Sequence, residues 1–273
     1  MANNEYFTFE TGQVSDVGCR RTVNEDSFMT REDFGLWVVA DGMGGHAAGD
    51  YASQAIVREL MSVGVAASGE DLQARFMERL TRANERILDH AAELQRGTIG
   101  ATLVALLVHG NRYSCIWSGD SRVYLLRGGV LVQQTRDHTE MQELLDNGAI
   151  TPEEAVNWPR RNVITRAIGV TPVPHCDIVT GTAEIDDTFI LCSDGLTEHL
   201  SDADIAEIAG ALPPKEACKA MVDLTLERGA RDNVTVIAMR CLPPPPVEDE
   251  ETQALLEAEA ADRAPDASDG ETA

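Results

Sequence analysis

The sequence predicts an α+β protein in which antiparallel strands alternate with pairs of amphipathic helices. Three observations carry that prediction. After Gly100 the apolar pattern breaks into short β-type runs separated by tight turns. Two long stretches, one before those runs and one after them, carry apolar residues at helical spacing. Apolar runs also end twice on Asp-Gly just before a helix start, at Asp41-Gly42 and Asp194-Gly195.

In chain order, residues 6–17 alternate weakly and read as a first strand. A loop follows with a basic pair, Arg20-Arg21, then an acidic pair, Glu25-Asp26, and a short strand from Ser27 to Thr30. Leu36 to Ala40 is the next strand, and Asp41-Gly42-Met43-Gly44-Gly45-His46 closes it. Glycines let the backbone approach a ligand, so this stretch suits a metal or phosphate site; a Gly-rich strand-to-helix turn would look the same. Helices are expected at Tyr51–Val65 and Asp71–Leu94, the second started by Ser68. His90 reads as a surface residue of that helix.

Ala101–Val108, Arg112–Ser118, Arg122–Arg127 and Val130–Gln133 read as an antiparallel meander. Gly119-Asp120-Ser121 then sits at a tight turn, where turn chemistry explains an Asp as well as a binding role does. Asp137–Asn147 and a start at Thr151-Pro152 are short helices in a segment that interrupts the strands like an inserted flap. His138 reads as a structural hydrogen-bonder. Strands resume at His175–Gly181 and Asp187–Cys192, helices at Asp202–Ala209 and Lys215–Arg228, and Asp232-Asn233 opens a last strand, Val234–Cys241. Four prolines then lead into residues 243–273, an acidic, Ala-rich tail expected to be disordered.

The formal net charge is −24 over 273 residues. The tail contributes ten acids against one base, and the body remains acidic too. Such a surface is repelled by nucleic acid and by anionic lipid. With no 18-residue apolar run and a polar start without a signal-peptide pattern, a cytoplasmic protein is expected. The six cysteines are scattered, without a C-x-x-C pair, which argues against zinc and against a disulfide framework.

Asp26, Asp41, Asp120, Asp194 and Asp232 all fall at strand ends or turns, which a sandwich can gather on one edge. An oxygen-only set suits Mg²⁺ or Mn²⁺. Two such ions about 4 Å apart can activate water for attack on phosphorus, with Arg20 or Arg21 clamping the phosphate. The residues alone thus point to a metal-dependent phosphoester hydrolase.

The ordered set Arg21-x-x-Asn24-Glu25-Asp26, Asp41-Gly42-Met43-Gly44-Gly45-His46, Gly119-Asp120-Ser121-Arg122, Ser193-Asp194-Gly195 and Arg231-Asp232-Asn233 resembles the PP2C (PPM) family of metal-dependent protein serine/threonine phosphatases, in its bacterial form. The resemblance spans about residues 6–241 and implies a four-layer α/β/β/α sandwich of two antiparallel sheets flanked by helix pairs, formed by a domain of residues 1–242. It further implies that Asp41 bridges two Mn²⁺ or Mg²⁺ ions and that the Gly42 carbonyl binds one of them. Asp194 and Asp232 would bind the other, and Glu25 and Asp26 would act through water. Asp120, with Asp194, would hold a weaker third ion, Arg21 the substrate phosphate, and residues of about 139–165 would form the flap. The reaction implied is direct attack of a metal-bridging hydroxide on phosphoserine or phosphothreonine. Where eukaryotic members carry His after Asp-Gly, Met43 stands here, so His46 or a metal-bound water is left as the general acid. Phosphorylated protein substrates, a cognate Ser/Thr kinase and a monomeric state are expected, without nucleic acid or membrane partners. The competing readings are a phosphoprotein-docking pseudoenzyme, disfavoured by the retained aspartates, and a nuclease, disfavoured by the absence of basic tracts.

Overall fold

Along Leu36–Ala40 successive side chains leave on opposite faces of a strand, and both faces are buried: Leu36, Val38 and Ala40 pack outward against helices, Trp37 and Val39 inward against a second sheet. That is why the run is continuously apolar although its sheet is antiparallel. The computed structural model describes residues 6–44, 48–95, 97–155 and 158–244.

The strands are β1 (Thr8–Asp16), β2 (Asp26–Arg31), β3 (Leu36–Met43), β4 (Gly100–Ala101), β5 (Leu103–His109), β6 (Arg112–Ser118), β7 (Arg122–Arg127), β8 (Val130–Gln133), β9 (Asp177–Thr182), β10 (Thr188–Cys192) and β11 (Val234–Leu242). The helices are α1 (Gly49–Leu60), α2 (Gly69–Leu94), α3 (Glu140–Asp146), α4 (Pro152–Ala155), α5 (Asp194–Thr197), α6 (Asp202–Ala211) and α7 (Pro214–Glu227). One sheet runs β1-β11-β10-β7-β8; the other runs β2-β3-β5-β6-β9, with β4 paired to β3.

Three apolar layers hold these elements together. Phe76, Leu80 and Ile56 of α1 and α2 pack on the β3–β5 face. Trp37, Val104, Phe189 and Ile237 fill the space between the sheets. Ile205, Met221 and Val222 of α6 and α7 cover β7, β10 and β11. The result is the α/β/β/α sandwich expected from the sequence. Among the described residues no helix is long and apolar enough to cross a membrane.

The local signals act as read in most places. The Ser68 side chain accepts from the Asp71 amide and caps α2. His90 stacks on Tyr51, with ring centroids 3.7 Å apart, and so packs α2 against α1. The first helix ends at Leu60 rather than Val65, but Val63 just beyond it is still buried. The tail expected to be disordered lies, from residue 245 on, outside the described residues.

The expected meander is corrected. β5 pairs with β6 and β7 with β8, but β6 and β7 belong to different sheets. Gly119-Asp120-Ser121 is therefore the crossover from one sheet to the other, not a hairpin turn. Gly119 makes the corner with φ of +112°, and a Cβ there would lie 2.6 Å from the Thr102 side chain.

Candidate metal-binding active site

The sandwich gathers the carboxylates at one end. Antiparallel pairing of β2 with β3 sets Asp26 directly opposite Asp41. Asp194 begins α5 just after β10, Asp232 lies two residues before the adjacent β11, and Asp120 sits on the crossover between sheets. The two sheets are stitched here by Ser193, whose Oγ donates to Asp26 Oδ2 at 2.8 Å while accepting from the Thr235 amide at 3.0 Å.

These side chains stand in an environment hostile to negative charge. Burial raises Asp26 to about 6, opposed by hydroxyls of Thr235 and Ser193. Burial, then the charge of Asp137, raises Asp120 to about 7. Asp41 lies well above the ordinary carboxylate value, first through burial and then through Asp26, Asp194, Asp120 and Asp232. Asp194 is shifted the same way by burial, Asp120, Glu198, Asp232 and Asp26. The Asp26 Oδ1 and Asp194 Oδ1 atoms are buried without a hydrogen-bond partner. A buried carboxylate oxygen normally has a partner, and a hard cation is one that would also cancel the repulsion. Among the described residues no three His, Cys, Asp or Glu side chains make a ready-made cage for one ion.

Gly42 has a steric reason to be glycine. A Cβ there would lie 2.1 Å from the Gly49 carbonyl oxygen and 2.7 Å from that of Glu25. The Gly42 amide donates to Glu25 O at 3.1 Å, and Glu25 Oε1 accepts from the Gly49 amide at 3.2 Å. The β3 end, the loop before β2 and the start of α1 are thus packed backbone to backbone. Gly42→Ala should lower the melting midpoint by several degrees, since overpacking costs on the order of 1–3 kcal/mol, and circular dichroism would register it.

Of the basic pair, Arg21 turns to the carboxylates: its Nη2 donates to Asp232 Oδ2 at 2.6 Å. The Arg21 guanidinium remains partly exposed, 48% by side chain. The residue expected to bind phosphate and one expected to bind metal are therefore ion-paired. Beside Asp120 and Asp194 opens a cleft of about 400 Å³, lined also by Arg122, Arg161, Asn162 and Glu198. Arg122 is already committed, forking onto Asp137 through Nε and Nη2 at 2.6–3.1 Å. Asn162, in the segment expected to form the flap, donates to Glu198 Oε1 at 2.6 Å and ties that segment to the residue that follows α5. His138 is buried and hydrogen-bonded on both ring nitrogens, as its structural reading expected. His46 lies outside the described residues.

Several residues matter to the site beyond those singled out in sequence. Asn233 receives the Glu25 amide at 2.8 Å and donates to the Val17 and Val23 carbonyls, pinning the Arg21 loop to β11. Thr102 accepts from the Asp41 amide at 3.3 Å and meets Ser121 Oγ at 2.7 Å, linking the Asp41 strand to the Asp120 crossover. Asn233 was visible as the neighbour of Asp232; Thr102 falls in the break between β4 and β5, and nothing in its own neighbourhood ties it to Asp41 or Ser121.

Comparison with known proteins shows the family. The protein phosphatase 2C profile matches residues 19–233. The serine/threonine protein phosphatase PstP of Mycobacterium tuberculosis is 40% identical over 225 residues, which cover 82% of this chain and 43% of that protein. The chain thus spans less than half the length of that relative. Among solved structures, PppA, a key regulatory component of T6SS in Pseudomonas aeruginosa, superposes with a TM-score of 0.80 at 39% identity, covering 87% of this chain and 99% of that one. The catalytic domain of PstP in complex with two manganese ions superposes with a TM-score of 0.77 at 37% identity, covering 86% and 98%. A sandwich that collects five aspartates at one end, together with a profile match over most of its length, places this chain in the protein phosphatase 2C family.

Proposed function

We propose that this chain is a metal-dependent phosphatase acting on phosphoserine and phosphothreonine in proteins, carried by the domain of residues 1–242. The observation that carries the reading is the cluster of mutually repelling, buried and half-buried carboxylates with two buried, orphaned oxygens, which is costly without cations. Asp41, the Gly42 carbonyl, Asp194 and Asp232 would hold two Mn²⁺ or Mg²⁺ ions, Glu25 and Asp26 would act through water, and Asp120 would add a weaker third site with Asp194. The PstP domain that this chain resembles binds two manganese ions. When bound, the ions supply Lewis acidity, which acidifies water for direct attack on phosphorus and offsets charge on the phosphoryl oxygens.

The chain's own groups supply the rest. Arg21 would exchange its pairing with Asp232 for the substrate phosphate once a cation neutralises that carboxylate. Arg161 and Asn162 line the route by which a peptide reaches the carboxylates. His46 or a water held in the site would protonate the departing alkoxide. A cognate Ser/Thr kinase, a monomeric state and a cytoplasmic location complete the proposal.

Purified protein with Mn²⁺ should hydrolyse a phosphothreonine peptide, and EDTA should abolish turnover until metal is restored. Absence of turnover with Mn²⁺ would favour the phosphoprotein-docking reading instead. Arg21→Ala should raise KM by about tenfold or more, the loss of one charge-assisted contact, while the metal requirement persists. Steady-state kinetics across peptide and Mn²⁺ concentrations would separate the two.

A further inference from the structure

His138 sits where two functional parts of the molecule meet. It is buried, at 6% exposure, with its ring stacked on Trp117 at a centroid distance of 5.9 Å. On one side it holds the crossover that carries Asp120. The His138 amide donates to the Gly119 carbonyl at 2.9 Å, and the Gly119 amide donates to His138 Nδ1 at 3.1 Å. Two bonds between the same two residues leave the corner little freedom. The corner also admits no side chain, since a Cβ at Gly119 would lie 2.6 Å from the Thr102 side chain.

On the other side it holds the neck of the flap. The His138 carbonyl accepts from the Thr165 amide at 2.8 Å, Thr139 bridges to Ile164, and the Glu140 amide donates to Val163 O at 2.9 Å. The two ends of the 139–165 excursion are therefore closed around this one residue. Because Nδ1 accepts from Gly119, it carries no proton, so the neutral ring bears its proton on Nε2. Nε2 lies 3.1 Å from Asp177 Oδ2 at the start of β9, and Arg166 Nη1 donates to Asp177 Oδ1 at 2.9 Å. Burial lowers the His138 pKa, which favours this neutral form.

We propose that His138 is a positioning residue that locks the Asp120 crossover and the neck of the flap into one unit, so that the flap's seating and the Asp120 end of the carboxylate cluster are set together. It touches neither the Asp120 side chain nor the substrate cleft, and acts through Gly119 on one side and through Asp177 and Thr165 on the other. The consequence for metal binding rests on the proposed role of Asp120; the mechanical linkage does not.

Two substitutions separate the halves of the linkage. His138→Asn keeps an acceptor near Nδ1 for the Gly119 amide but is too short for Asp177. His138→Gln places an amide near the Nε2 position for Asp177 but leaves Gly119 without an acceptor. In chelator-treated protein, the Gln variant should exchange its Gly119 amide about tenfold faster or more, the scale of one lost buried hydrogen bond, while proteolysis within 139–165 stays near that of the unsubstituted protein. The Asn variant should keep Gly119 protected and be cut faster in the flap. With Mn²⁺, the Gln variant should need several-fold more metal for half-maximal phosphopeptide turnover. The proposal is overturned if both variants move exchange and proteolysis equally and in step with the melting midpoint, as a mere core filler would. It is equally overturned if Gly119 exchange in the Gln variant is unchanged. Lack of Mn²⁺-dependent turnover in the unsubstituted protein would sink the phosphatase reading, while exchange and proteolysis would still decide the role of His138.

Discussion

Asp41→Asn should reduce phosphopeptide turnover by roughly 10³-fold or more and at the same time raise the thermal midpoint of the metal-free protein at pH 8. The two effects have opposite signs for one reason. Asp41 is half-buried among Asp26, Asp194, Asp120 and Asp232, and desolvation and repulsion there lift its pKa well above the ordinary value. Removing the charge relieves the repulsion, so without metal the fold gains. A relief on the order of 1 kcal/mol corresponds to about 2–4 °C for a domain of this size. With metal, the variant lacks the oxygen that would join two cations, and the several kcal/mol of charge stabilisation they would supply is lost at about 1.4 kcal/mol per decade of rate. Calorimetry and kinetics on the same preparation decide the matter. A variant that loses both activity and stability would point to misfolding, and one that keeps activity would remove Asp41 from the site. Residues kept at a cost in stability are expected at functional centres.

How far the residues themselves announced this arrangement depends on whether the signal was local. β3 was legible because burial on both faces makes its run continuously apolar, and Ser68 because a capping hydroxyl acts within three residues. The aspartates were legible as candidates because each falls at a strand end or a turn. Their mutual geometry was not. The Asp26–Asp41 opposition is a matter of register, and the Arg21–Asp232 pair joins residues 211 positions apart. The Gly119 corner was misread for a physical reason: a sheet-to-sheet crossover and a hairpin draw on the same Gly and Asp turn chemistry, and only long-range pairing of β6 with β9 and of β7 with β10 distinguishes them. Asn233 and Thr102 are in the same position, since their use lies in backbone groups of distant segments.

In chelator, the melting midpoint should fall as pH rises from 5 to 8, and saturating Mn²⁺ should flatten or reverse that slope. Asp26 keeps its proton in the folded chain up to about 6 and Asp120 up to about 7, first because of burial in both cases. The same side chains in the unfolded chain release theirs near 3.9. Between those limits the folded state binds more protons than the unfolded state, so stability declines as pH increases. The stabilisation is complete below about pH 4 and gone above about pH 7. At about 1.4 kcal/mol per unit, the roughly three units of these shifts that are lost between pH 5 and 8 amount to about 4 kcal/mol, or on the order of 10 °C. Mn²⁺ would act oppositely, by binding the deprotonated carboxylates of the folded state. At a hundredfold excess over its dissociation constant it adds about 2.7 kcal/mol, and protons compete with it least at high pH. Scanning calorimetry at four pH values, with EDTA and with Mn²⁺, reads the slope directly. Identical slopes in the two conditions would mean that the buried carboxylates are not where the metal goes, and the assignment of Asp26 and Asp120 to the metal centre would fail with them.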